Sequence, residues 1–386
     1  MAALLATAFA GNAEAVTGAP RPAGQHAVAA AEASARTAAT PSLPRFSARQ
    51  LAGQRVIYSY SGLTPPASLL SLIRQGQAAG VIFFKQNIAS RAQITQAIKM
   101  LEAANRSASN PARAYPLLLM TDQEGGEVRR LPGAPRLSEK QIGEITPLSA
   151  AVAAAKSAGK DAAANLLSTG MNVNLAPVLD VYRHPGDFDD QFQRSYSMKP
   201  TVVSALGASF IAAQQAGHVA ATAKHFPGLG AATASQNTDK VPVTINVPRA
   251  TLIARDEYPY KAAISARVKL VMVSWAVYPA FDRKRPAALS QPVVQGELRK
   301  RLKFAGVTIT DAIGAGALRA YGTTSNKALL AARAGMDVIL SAGGTISEGS
   351  QCVNGLLSGY RNGTLSHAAF LAAVARILAL RASLPQ

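Results

Sequence analysis

Eight short runs rich in branched apolar residues recur along the chain, each followed by a stretch long enough to hold a helix. They are Arg55–Tyr60, Gly80–Lys85, Pro116–Asp122, Met171–Pro177, Val219–His225, Leu270–Trp275, Gly306–Asp311 and Met336–Ser341. Several are apolar almost without a break, the pattern of parallel strands covered on both faces. Between them, Leu148–Ser168, Thr201–Ala216 and Asn326–Ala334 have the composition and length of helices. Alternation of this kind, with right-handed connections, leaves two α/β architectures: a closed (β/α)8 TIM-type barrel or an open doubly wound sheet. No G-x-G-x-x-G follows the first run, which weakens the second. Asp122, Lys224, His225 and Asp311 all fall at the C-terminal ends of predicted strands, where barrels build their sites. The barrel is the better reading.

The texture is uniform from Leu51 to the end, so residues 46–386 are expected to form a single domain. Residues 1–45 are rich in Ala, Pro, Thr and Gly and read as a signal-like leader with a disordered linker. Met1 to Ala15 is small and apolar and closes on Asn12-Ala13-Glu14-Ala15, an A-x-A pattern, but no Lys or Arg precedes Arg21. The expectation is a secreted or cell-wall-associated bacterial protein, or a cytoplasmic one if the leader is not a signal. No apolar run reaches the ~18–20 residues needed to span a bilayer.

Lys and Arg number 40 against 21 Asp and Glu, a net charge of +19. Such a balance suits anionic partners, including anionic wall polymers. The basic residues are scattered, and neither a glycine/aromatic RNA-binding signature nor a zinc-finger spacing occurs, so nucleic acid is not expected. Cys352 is the only cysteine, which excludes an intrachain disulfide and a cysteine metal site.

Four segments carry residues suited to chemistry. In Asp122-Gln123-Glu124-Gly125-Gly126 a strand ends in a carboxylate and a Gly-Gly turn, with Arg129 and Arg130 following. Asp122 can accept from sugar hydroxyls and Arg130 can donate; a structural ion pair at the turn is the alternative. Asn174-Leu175-Ala176-Pro177-Val178-Leu179-Asp180 ends another strand, followed by a polar loop with Asp187, Asp189, Asp190 and Arg194. Those aspartates lack the calcium-loop spacing and are expected to be solvated. Lys224-His225-Phe226-Pro227-Gly228 sets a cation and an imidazole, read as a neutral donor, at one strand end. Asp311 ends its strand either as a nucleophile for an anomeric carbon or as an N-cap for a helix from Ala312.

Together these motifs, with Gly80-Val81-Ile82-Phe83-Phe84, resemble glycoside hydrolase family 3, in its β-N-acetylhexosaminidase branch, over roughly residues 50–382. The resemblance implies a cofactor-free retaining glycosidase acting on amino-sugar glycans of the peptidoglycan type. It gives Asp311 the nucleophile position. Asp122, Arg130, Arg194, Lys224 and His225 take the positions that hold the N-acetylhexosamine ring. Nothing in it requires a metal, and a monomer is the default expectation.

One loop departs from the pattern. Where the family carries an Asp-x-His acid/base pair, this chain has Ser235 and Asn237, neither able to donate a proton near neutrality. Trp275 stands where a histidine is common. Asp239 is the candidate substitute for the lost acid/base. The alternative is an inactive barrel that binds amino sugars or wall glycan.

Overall fold

A computed structural model describes residues 44–385; the expected leader lies outside the described residues up to residue 43. Eight parallel strands close a barrel: β1 (Val56–Tyr58), β2 (Gly80–Ile82), β3 (Leu118–Thr121), β4 (Val173–Asn174), β5 (Ala220–Phe226), β6 (Leu270–Val273), β7 (Val307–Ala312) and β8 (Val338–Leu340). Neighbours in sequence are neighbours in space, and β8 returns to β1 through Val56 against Ile339. Six of the strands lie inside predicted runs, and the other two, β5 and β7, extend one residue beyond theirs, to Phe226 and Ala312. The α/β barrel expected from the sequence is the fold observed.

The reason is visible in burial. Ile57, Ile82, Met120, Val173, Leu270, Ile309 and Val338 belong to one buried cluster inside the closed sheet. The intervening residues of each strand are buried against the surrounding helices, so no alternation survives in the sequence. Helices Leu148–Leu167 and Pro200–Ala216 lie against one another so closely that a methyl group at Gly159 would meet the Phe210 carbonyl at 2.3 Å. Only glycine permits that approach.

The last helix, His367–Ala382, crosses the N-terminal end of the barrel. Its buried Arg381 donates to the carbonyls of Pro116 (2.7 Å) and Tyr115 (2.8 Å) ahead of β3 and to Gln54 ahead of β1. Its Ile377 and Leu380 join the interior cluster. With that end closed, the C-terminal ends of the strands are left for a site. Among the described residues no helix is long and apolar enough to cross a membrane.

Candidate active site

Asp122 follows β3 directly. The chain then reverses in a hairpin of Gln123–Gly125 against Val128–Arg129, turning through Gly125 and Gly126 at φ 122° and 54°, where side chains are strained. Buried Gln123 fixes this turn. Its amide donates to the carbonyls of Leu131 and Ala134, and its oxygen accepts from the N–H groups of Arg130 and Leu131, all at 2.9–3.0 Å. Arg130 is thereby held with a terminal nitrogen 3.8 Å from Asp122, and its Nε is buried without a partner. An unmet buried donor at a pocket wall invites an acceptor from a ligand.

Behind Asp122 runs a buried ladder of alternating charge. Lys224, near the end of β5, places Nζ 2.8 Å from Asp122 and 2.7 Å from Glu124. Glu124 receives two hydrogen bonds from Arg194 at 3.0 Å, and Arg194 reaches Asp189 at 3.3 Å. Burial opposes charge on every rung, and at Asp122, Glu124, Lys224 and Arg194 the partners win. Asp122 and Glu124 are held below the usual carboxylate range, chiefly by Lys224 and Arg194, and both cations are held above theirs. Glu124 is the hinge of the ladder, and sequence reasoning gave it no role. Its position beside Asp122 was the available signal.

His225 leans on Asp180, with Nδ1 at 2.7 Å; Asp180 also accepts the N–H of Leu229 at 2.5 Å. Burial, then the charge of Arg194, lowers His225 to about 4, so the ring is neutral. With Nδ1–H donated to a carboxylate that accepts from every side, Nε2 keeps a lone pair. His225 thus offers the pocket an acceptor, where the sequence suggested a donor. The loop aspartates also depart from expectation. Asp187, Asp189 and Asp190 are buried, at 8, 1 and 3% exposure, rather than solvated. Asp189 pairs with Arg194, Asp190 with Lys140 at 2.8 Å, and Asp187 accepts the N–H groups of Arg183 and His184. Side-chain cations supplied what composition could not reveal.

Asp180, Asp189 and His225 bring three metal-ligating atoms within 4.8 Å. Asp180 and His225 already satisfy one another, however, and burial lifts Asp180 to about 6 and Asp189 to about 7. The cluster is better suited to sharing a proton than to holding a cation.

Asp311 is the penultimate residue of β7. One carboxylate oxygen accepts the N–H of Ala312 at 2.7 Å, which leaves the other free. The N-cap alternative does not hold: the next helical turn, Gly316–Tyr321, begins at Gly316 and is flanked by Ala315. Trp275 is buried, and its indole donates to the Ala312 carbonyl at 2.9 Å, bracing the strand end that carries Asp311. A residue read from the sequence only as a missing histidine is a support.

The loop that departs from the family pattern turns inward. Thr238 and Asp239 accept, through their carbonyls, the N–H groups of Ala317 (3.0 Å) and Gly316 (2.8 Å) from the segment after β7. A methyl group on Gly316 would meet the Lys240 carbonyl oxygen at 2.1 Å. The Asn237 side chain accepts the Asp239 N–H at 2.8 Å and tightens the turn. Ser235 is exposed and outside the pocket, whereas Asn237 and Asp239 line it. Asp239 is open to solvent at the mouth, yet enough protein surrounds its carboxyl to raise it above the ordinary range, with burial as the largest cause. Asp311 is raised as well, first by burial and next by the charge of Asp239.

One pocket of about 290 Å³ therefore collects Asp122, Arg130, Arg194, Lys224, His225, Asp239 and Asp311. It lies at the small end of ligand pockets, ~300–1,000 Å³, with room for one sugar-sized ring. Phe188 and Phe192 stand on its wall, packed edge to face with centroids 5.8 Å apart.

Comparison with known proteins agrees with this geometry. Residues 50–380 match the model of the glycosyl hydrolase family 3 N terminal domain. An uncharacterized secreted glycosyl hydrolase of Arthroderma benhamiae is 45% identical over 334 residues, covering 86% of this chain and 93% of the relative. A beta-hexosaminidase of Stenotrophomonas maltophilia is 35% identical, over 69% of this chain and 77% of its own length. Among solved structures, the family 3 beta-N-acetylglucosaminidase of Paenibacillus sp. superposes with a TM-score of 0.80 at 30% identity, covering 88% of this chain and 63% of that one. The beta-N-acetylhexosaminidase of Beutenbergia cavernae gives 0.78 at 28% identity, over 88% and 99% respectively. A closed barrel with paired carboxylates at its C-terminal mouth, matched by one family along nearly its whole described length, is a glycosidase scaffold, and the chain belongs to glycosyl hydrolase family 3.

Proposed function

We propose that the chain is a retaining β-N-acetylhexosaminidase in which Asp311 is the nucleophile and Asp239 the acid/base. The observation that carries this reading is that both carboxyl groups line one pocket, with the charge of Asp239 felt at Asp311. A terminal amino-sugar ring binds with its hydroxyls against Asp122, Arg130 and the Nε2 of His225. Lys224 and Arg194 act mainly by holding Asp122 and Glu124 in place. Asp311, ionised, attacks the anomeric carbon while the glycosidic bond breaks, and the leaving oxygen takes the proton of Asp239. Asp239, now a carboxylate, takes a proton from the water that attacks the same carbon and frees Asp311.

The hexosaminidase and acetylglucosaminidase names of the relatives support the choice of sugar. Secretion is proposed on the description of the Arthroderma relative. The family match and the hexosaminidase relatives weigh against the reading as a barrel that only binds. The test compares 4-nitrophenyl N-acetyl-β-glucosaminide with a natural β-linked disaccharide. Asp311→Asn should abolish turnover of both. Asp239→Asn should lower kcat/KM for the disaccharide roughly 10²–10⁴-fold, the worth of general acid assistance, and kcat/KM for the activated aryl glycoside much less. Undiminished disaccharide cleavage by either variant overturns the assignment.

A further inference from the structure

The net charge of +19 is not used at the C-terminal mouth, where cations and carboxylates nearly balance. At the opposite end of the barrel lies a larger cavity of about 520 Å³, walled by Arg55, Lys300, Arg333 and Arg376, with Asp337 as the sole lining carboxylate among the described residues. That carboxylate is already spent. It binds Arg299 at 2.6 Å and Arg376 at 2.7 Å and accepts the N–H of Thr308 at 2.9 Å. Arg55 is fully buried and donates to the carbonyls of Met336 (2.6 Å) and Asp337 (2.9 Å), with its guanidinium 4.3 Å from the centre of the Phe370 ring. Lys300 and Arg333 are exposed at the rim and make no ion pair with any described residue. The first turn of the 16-residue last helix, through Ser366 and Ala369, forms part of the wall and adds the positive end of its dipole.

We propose that this cavity is a second binding site, for a small molecule bearing a phosphate group. Excess fixed positive charge in a concave space calls for an anion of more than one charge. Guanidinium groups match the oxygens of a tetrahedral oxyanion, and the Phe370 wall gives an organic portion an apolar face. The volume falls within the ~300–1,000 Å³ of small-molecule sites and exceeds what a bare phosphate fills. The concavity favours a small molecule over a polymer, which a flat basic face would suit better.

The test titrates the full chain with inorganic phosphate and with pyrophosphate at ionic strength matched by chloride, following heat and thermal midpoint. The double variant Lys300→Glu, Arg333→Glu serves as control; both side chains are exposed and remote from the glycosidase pocket, so its cleavage of the aryl glycoside should equal the parent's. The proposal expects saturable binding, tighter for pyrophosphate than for phosphate, and weakened at least tenfold in the variant. Absence of binding at millimolar pyrophosphate, or equal binding by parent and variant, overturns it. So does binding confined to a glycerol-phosphate polymer, which would mark an extended basic surface instead.

Discussion

Glu124→Gln tests the buried ladder. Glu124 is 2% exposed and, among the described residues, is the only carboxylate that touches both Lys224, at 2.7 Å, and Arg194, at 3.0 Å. The amide keeps the shape but removes the charge and turns an NH2 group toward a cation. Breaking a buried pair by removing one partner typically costs ~3–5 kcal/mol, because the other charge is left buried. Asp122 and Asp189 still share the two cations, so about 3 kcal/mol is the appropriate figure. For a domain of this size that is a fall in Tm of about 4 °C. The pH dependence follows from the sign of the shift. Glu124 is held below its ordinary value in the folded state, so its contribution is complete above the unfolded carboxylate value, near ~4.3, and is lost as pH falls through the lower folded value. Denaturant unfolding at pH 7 and at successively lower pH should show a gap between parent and variant that closes on acidification. A loss below about 1 kcal/mol at neutral pH, or a gap that does not change with pH, would refute the ladder argument.

Two further predictions concern the mouth. In Gly316→Ala the new methyl group cannot fit 2.1 Å from the Lys240 carbonyl, so the Asp239 loop must move outward. Disaccharide cleavage should fall by at least tenfold, with a smaller effect on the aryl glycoside, and equal losses on both substrates would count against Asp239 as the acid. The second is a pH profile. Turnover needs Asp311 ionised and Asp239 protonated, and both are raised, so kcat/KM should be bell-shaped. On the acidic limb Asp239 is still protonated and uncharged, so Asp239→Asn should leave that limb for the aryl glycoside in place and abolish the alkaline limb, which is the loss of the Asp239 proton beside ionised Asp311. An alkaline limb that survives in the variant would show that Asp239 is not the titrating acid.

The barrel was legible because its strands are buried on both faces, so that runs such as Leu117–Met120 and Leu270–Val273 are apolar throughout. The strand ends were legible too, since Asp122, Lys224, His225 and Asp311 interrupt such runs abruptly. What sequence could not provide was the set of contacts across long separations. The burial of Asp189 depends on Arg194 being turned inward by Glu124, 70 residues away. The inward fold of Asp239 depends on backbone N–H groups of Gly316 and Ala317, a pairing across more than 70 residues. Trp275 reads only as a missing histidine until its indole is found on the Ala312 carbonyl. Each is a pairing that a linear pattern of residue types does not encode.

The central claim is that a carboxyl group at Asp239 does the proton transfer while Asp311 forms the glycosyl bond. The most direct measurement is turnover of 4-nitrophenyl N-acetyl-β-glucosaminide by Asp239→Asn with and without sodium azide. Without a base to activate water, the glycosyl-enzyme on Asp311 should accumulate; azide needs no such help and should restore turnover, giving the β-glycosyl azide. A variant as active as the parent, or one that azide neither accelerates nor converts to the β-azide product, would contradict the account.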